Sequence, residues 1–234
     1  CGSHSGSKLH TREAFKILWE YDIDIKNLKC PKSKTSPLEH NCSGKHAAFL
    51  ATCKKMNWPL DSYLKGDHPL QIEIFRIVSE LLEIPSSEIN AERDDCGAPT
   101  LYLKLLEMSR LYSLLSSSEN AELEQISRAM TINPIMISDN NKFDTEIIKA
   151  SHGNVIGKGG AEGIQCLCKV NEGIGLALKV EDGSKRAKHA VSLHLLKQLE
   201  WISDLRIQDI EEKVFNFSEG VRLEVKGKVK FQES

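Results

Sequence analysis

Aromatic residues are scarce, at 6% of the 234-residue chain, and they are not interleaved with a basic stripe. Charge bias is missing too: 31 basic and 33 acidic residues leave a net charge of −2. A stacking surface flanked by phosphate-binding cations is therefore not expected, and a nucleic-acid partner is excluded on composition. No apolar run approaches the roughly 20 residues that span a bilayer, and no signal-peptide pattern opens the chain. The expectation is a cytoplasmic protein without a membrane partner. Cysteines number seven, an odd count for a chain of this size, which argues against a disulfide framework and for reduced thiols. Repeats, low-complexity tracts and clear linkers are absent. Methionine is absent from the first position, where Cys1 leads directly into Ser3-His4-Ser5-Gly6, so an upstream segment is expected to be missing.

With 40% hydrophobic and 27% charged residues, the chain has enough apolar material for one large domain or two closely joined parts. Helical spacing is read over residues 12–21, 45–56, 70–82, 100–115 and 121–130, punctuated by Pro59, Pro69, Pro85, Pro99 and Pro134. Lys29 to Pro37 reads as a loop. The pattern changes after His152. Val155-Ile156, Ile164 to Val170 and Ile174 to Val180 read as short strands, the last two joined by a hairpin at Asn171-Glu172-Gly173. Ser184 is placed to cap a helix running to about Trp201. Alternation across Val221, Leu223, Val225, Val229 and Phe231 predicts a closing strand. These elements make a single domain over 1–234, helix-rich at about 8–151 and sheet-rich at about 152–234. Helices on a largely antiparallel sheet give an α+β, three-layer class.

Reactive groups are densest at Asn41-Cys42-Ser43-Gly44-Lys45-His46, directly ahead of a helical run. A second corner, Arg93-Asp94-Asp95-Cys96-Gly97-Ala98-Pro99, offers another thiol. Cys42, Lys45 and Cys96 together suit a tetrahedral zinc ion, since thiolates disfavour calcium and magnesium. A lysine ligand must shed its proton, which at pH 7 costs roughly 4.6 kcal/mol. Structural zinc sites supply roughly 10–16 kcal/mol. The competing reading has Cys42 in the core, Lys45 in solvent, and Ser43 or Asn41 capping the helix; spacing alone leaves both open. A third element, Gly157-Lys158-Gly159-Gly160-Ala161-Glu162-Gly163, matches neither G-x-G-x-x-G nor a phosphate-binding loop. It places a lysine at a strand end among residues small enough for close approach by a substrate. In that respect it is similar to the Lys-Thr-Gly element of serine β-lactamases and penicillin-binding proteins. A glycine-rich turn with a surface lysine fits the same letters.

Taken in order, Ser3-His4-Ser5-Gly6, Asn41 to His46, Asp94 to Pro99, Gly157 to Gly163 and Lys179-Val180-Glu181-Asp182-Gly183 resemble the L-asparaginase II family, from residue 1 to about 190 with a weaker echo beyond. This is the zinc-binding type of asparaginase. The resemblance implies a serine β-lactamase-like fold with a helical subdomain, and hydrolysis of L-asparagine through a serine acyl-enzyme assisted by lysine. It implies Ser3 and Lys158 as the catalytic pair, His4, Asp94 and Gly160 at the substrate, and Cys42, Lys45 and Cys96 on a zinc ion that supports substrate binding. Ser43 then reads as a structural cap rather than a nucleophile. The partner implied is a small amino-acid amide; a homodimer is common for enzymes of this size.

The family's upstream strands, and its helix bearing Ser-x-x-Lys, have no counterpart here. Ser5-x-x-Lys8 falls inside a different motif, so the chain is expected to be a fragment or a homologue without activity. Three readings follow: an amidohydrolase whose acyl-transfer serine is Ser3 or one upstream; a non-catalytic homologue stapled by zinc; and a zinc hydrolase in which the metal activates water. Glutamine, one methylene longer than asparagine, differs by only about 1–3 kcal/mol in a pocket, so substrate choice stays open.

Overall fold

The computed structural model describes residues 3–31, 33, 35–215 and 223–229. The chain divides into two compact units, one comprising residues up to Lys104 with Met136–Asp139, the other comprising Leu105–Ile135 and the chain from Asn140 onward.

The first unit is built on helices. Helix α1 (Lys8–Glu20) buries His10, Ala14 and Leu18, one stripe at four-residue spacing, and stops where Asp22 takes a positive φ. Helix α2 (Ser43–Met56) buries His46, Ala47, Leu50, Ala51 and Cys53 and ends at left-handed Asn57. Helix α3 (Pro69–Leu82) starts with Pro69 in its first turn, where a missing N–H costs nothing, and His68 accepts the Leu70 N–H as its cap. α1 packs on α2. Leu18, Leu28, Leu50, Cys53, Tyr63 and Leu70 form the core between them. A short hairpin, β1 (Ala91–Arg93) and β2 (Pro99–Leu101), pairs antiparallel with Arg93 opposite Pro99.

The second unit is a sheet with helices on both faces. Helices α4 (Leu105–Ser116) and α5 (Ala121–Ile132) lead to the short α6 (Pro134–Ile137), on which the two units divide, and then to α7 (Phe143–Ala150). Strands β3 (Val155–Gly159), β4 (Ile164–Lys169) and β5 (Ile174–Lys179) pair antiparallel in sequence order, with Ile156 opposite Cys168 and Lys158 opposite Cys166. Helices α8 (Lys185–Gln198) and α9 (Asp204–Val214) complete it. The period of two along the strands sorts the layers. Ile156 and Cys168 pack with Leu115 and Tyr112 of α4 and Leu123 of α5. Val155 and Leu167 pack with Ile147, Leu193, Leu196 and Ile210 of α7, α8 and α9. Gly175 on β5 lets α4 lie on the sheet, because a Cβ there would collide with the backbone of Ser109 and Ser113.

The α+β class and the hairpin at Asn171–Gly173 are as the sequence predicts, and Ser184 caps α8 by accepting the Ala187 N–H. The helix predicted over 100–115 begins at Leu105, since Pro99–Leu101 is in strand. The closing strand is corrected within the described residues: 223–229 form no strand, and instead Gly227 and Val229 bond to His194 and Gln198 of α8. Val221 and Phe231 of that prediction lie outside the described residues, as do Cys1 of the amino-terminal element and Lys32 and Lys34 of the loop reading. Among the described residues no helix is long and apolar enough to cross a membrane.

Candidate functional site

The first unit brings the two cysteine corners together. At the mouth of α2 the His40 ring accepts the Cys42 N–H and the His40 carbonyl accepts the Ser43 N–H, so the chain turns into the helix with Cys42 in the capping position. Lys45 follows three residues on, one helical turn along the same side. The β1–β2 connection is equally tight. Asp94 N–H donates to the Ala98 carbonyl and Gly97 N–H to the Asp94 carbonyl, with Gly97 at φ 83°. That turn buries Cys96 and leaves Asp94 beside it. Donor atoms of Cys42, Asp94 and Cys96 all lie within 4.8 Å of one another. Lys45 Nζ stands 3.7 Å from Asp94 Oδ2, and Cys96 Sγ is 3.7 Å from the same oxygen.

Burial pushes the Cys42 thiol up to about 11, with Cys96 adding to it and Lys45 opposing it. Cys30, in the same core, is likewise raised to about 11 by burial, and its thiol donates to the Pro37 carbonyl. Two sulfurs, a carboxylate and an amine form a donor set that fits a soft, tetrahedral cation, and a cation is what would draw the protons from these thiols. Cys42, Asp94 and Cys96 are thus close enough to bind a metal ion. The six described cysteines are free thiols, as expected from the odd count of seven in the whole chain.

Ser3 and His4 are tied to the same corner. Asn41 Nδ2 donates to Ser3 Oγ at 2.8 Å, while His4 N–H donates to the Asn41 carbonyl. His4 Nδ1 accepts the Gly6 N–H at 3.0 Å, so the neutral ring carries its proton on Nε2 and donates it to Ser43 Oγ at 3.1 Å. Burial first, and the stacked His10 ring second, hold His4 down at about 4. Ser43 therefore does not cap α2 as expected. It is the first helical residue, fully buried, and its hydroxyl is taken by His4.

Lys158 lies in the second unit, near the end of β3. Its Nζ donates to the Gly159 carbonyl at 2.5 Å and stands 3.6 Å from Asp144 Oδ2. Asp144, in the first turn of α7, also accepts the Gly159 N–H at 2.9 Å and the Gln165 side-chain amide at 2.9 Å. Gly160 has both backbone groups engaged, its N–H on the Ile164 carbonyl and its carbonyl on Lys188. Each expected site residue therefore sits in a defined local setting: Cys42, Lys45, Asp94 and Cys96 converge, Ser3 and His4 join Asn41 and Ser43, and Lys158 and Gly160 share a turn with Asp144. Asn41, read from sequence only as an alternative helix cap, instead holds Ser3. Asp144, Gln165 and Lys188 carried no signal, since a lone Asp and a lysine within Lys185-Arg186-Ala187-Lys188 read as solvated surface.

A comparison with curated proteins finds no match. The sequence model of the L-asparaginase II family matches residues 1–231, nearly the whole chain. Every motif quoted for the resemblance falls inside that span, and the chain belongs to the L-asparaginase II family.

Proposed function

We propose that the protein is an amidohydrolase that converts L-asparagine to L-aspartate and ammonia through a serine acyl-enzyme, on a serine β-lactamase-like fold. Family membership suggests asparaginase-type chemistry on a small amino-acid substrate. The observation that carries the reading is the gathering of Cys42, Asp94 and Cys96 around one point, with Ser3 held by the residue just before Cys42.

Ser3, or a serine upstream of this sequence, attacks the side-chain amide carbonyl. Lys158 in its neutral form takes the hydroxyl proton and passes it to the departing nitrogen; ammonia leaves, and water then cleaves the aspartyl ester. Asn41 fixes the Ser3 hydroxyl by donating to its oxygen, which leaves the serine proton free for transfer. His4, neutral and committed at both nitrogens, acts by shape, keeping Ser3 and Ser43 in place beside the substrate. Asp94 orients the substrate's ammonium or a water, and Gly160 lines the substrate site. Cys42, Lys45 and Cys96 would hold zinc, with Asp94 next to them. Zinc would supply positive charge that helps fix the substrate.

The test is ammonia release from L-asparagine by the full-length protein, alongside metal analysis of unchelated protein. Expected are turnover that Lys158→Ala nearly abolishes and about one zinc per chain, as one structural site holds, lost in Cys42→Ala and Cys96→Ala. Unchanged turnover in Lys158→Ala removes that lysine from the mechanism, and metal-free native protein overturns the zinc site.

A further inference from the structure

Of the six described cysteines, five are buried and Cys42 alone is partly open to solvent. Behind it stands Cys96, 1% exposed, with its sulfur within 4.8 Å of the Cys42 sulfur. The two come from different elements, Cys42 from the mouth of α2 and Cys96 from the turn that joins β1 to β2. An oxidant arriving from solvent therefore meets Cys42 first and finds a second thiol next to it. Oxidation-sensitive sites commonly have this arrangement, an accessible sulfur beside one that resolves it.

We propose that Cys42 and Cys96 form a redox-modification site, at which a hydroperoxide oxidises Cys42 and Cys96 closes the product to a disulfide. With hydrogen peroxide, the deprotonated Cys42 sulfur attacks one oxygen and the O–O bond breaks. The sulfur becomes a sulfenic acid, and the other oxygen leaves as water with the thiol proton. The Cys96 sulfur then attacks the Cys42 sulfur, the S–O bond breaks, and a second water leaves. Two thiols give up two electrons and two protons, and one peroxide becomes two waters.

Closure brings the sulfurs from their present spacing to about 2.0 Å. Both backbones are irregular where they must give: Cys42 is the capping residue ahead of the regular helix, and Cys96 precedes Gly97 at φ 83°. Cys30, the other thiol near this corner, is buried and donates to the Pro37 carbonyl. Cys53 is fully enclosed within α2, and Cys166 and Cys168 lie on β4 of the second unit. Burial keeps the metal-free Cys42 thiol protonated near pH 7, with Lys45 opposing it, so the reaction is followed at higher pH. Access selects Cys42, and proximity selects Cys96.

The bridge and a metal ion compete for the same two sulfurs, since a disulfide has no thiolate to offer a cation. Oxidation leaves Asp94 and Lys45 alone at the corner. This competition rests on the metal reading given above, whereas the bridge itself rests on the two thiols.

The experiment exposes chelator-washed full-length protein to hydrogen peroxide at about pH 8.5, alkylates the remaining thiols in denaturant, and maps non-reduced peptides by mass spectrometry. Expected is a Cys42–Cys96 peptide pair that a reductant separates, with Cys30, Cys53, Cys166 and Cys168 still alkylated. Cys96→Ser stops at a Cys42 sulfenic acid that dimedone captures, and Cys42→Ser leaves Cys96 reduced. The absence of that pair, or a bridge from Cys96 to Cys30 in its place, overturns the proposal. Should either variant fail to fold, the wild-type peptide map decides. Zinc loaded beforehand is released as the bridge forms, read with a chromogenic chelator, and a bridge formed with zinc still bound overturns the competition. Protein that never takes up zinc yet forms the bridge removes the metal reading and supports the redox site.

Discussion

Replacing Tyr63 by phenylalanine removes a single oxygen from the centre of the first unit. The ring is fully buried, and it meets His46 edge-on and Phe49 at 6.4 Å, contacts that the substituted ring retains. The loss falls on the hydroxyl. It accepts the Lys29 N–H at 2.9 Å and lies 2.6 Å from His46 Nδ1, to which it gives its proton. Among the described residues His46 Nε2 already has no partner, so Tyr63→Phe leaves the fully buried imidazole with none of them at either nitrogen. A buried acceptor left unsatisfied costs about 1–3 kcal/mol, and the bond to Lys29 about 0.5–1.5 kcal/mol more. The expected loss is therefore roughly 2–4 kcal/mol, or a fall in Tm of about 5–15 °C. Urea unfolding followed by two probes measures it, with coincident transitions as the check on two-state behaviour. A loss under about 0.5 kcal/mol with native structure retained would refute the reasoning, because it would mean the hydroxyl satisfies neither group.

Gly175→Ala should destabilise the second unit by about 1–3 kcal/mol or more, since the new methyl meets helix backbone rather than a movable side chain; an unchanged urea midpoint would show that α4 does not lie on β5 as described. His189, stacked on Phe143 at 4.0 Å, is held at about 4 by burial against about 6.5 when unfolded. Above pH 6.5 neither state binds the proton; between 6.5 and about 4 the unfolded chain takes it and the folded one resists, so stability falls as pH falls through that window. His189→Gln should flatten this part of the stability curve, and an unaltered slope there would remove His189 as its source.

Where sequence and structure agree, the determinants are local. α1, α2 and α3 show their buried stripes at helical spacing, and the Asn171–Gly173 turn needs only glycine and two flanking apolar runs. The Cys42 corner is legible for the same reason: its residues lie within one turn of helix. α7 escapes notice because the face it buries includes Asp144, Thr145 and Glu146, whose burial is tolerated through Lys158, Pro134 and Lys213, partners up to 67 residues away. β1 and β2, three residues each, are too short to display alternation. Residues 223–229 alternate as a strand would, yet their backbone partners are side chains of α8, a choice that periodicity does not encode. Lys188 is the extreme case. Its neighbours in sequence suggest solvent, and only the missing side chain at Gly159 makes room for it inside.

Among the described residues β3 has a strand on one side only. An edge of that kind is a template on which another chain can add itself, and proteins commonly guard it with a charge or a covering element. Asp144 does this with one oxygen, taking the Gly159 N–H that a fourth strand would otherwise claim. The carboxylate beside Lys158 is thus also a stopper on the sheet, and its loss would leave an amide open to self-association at the very turn where substrate is expected to enter.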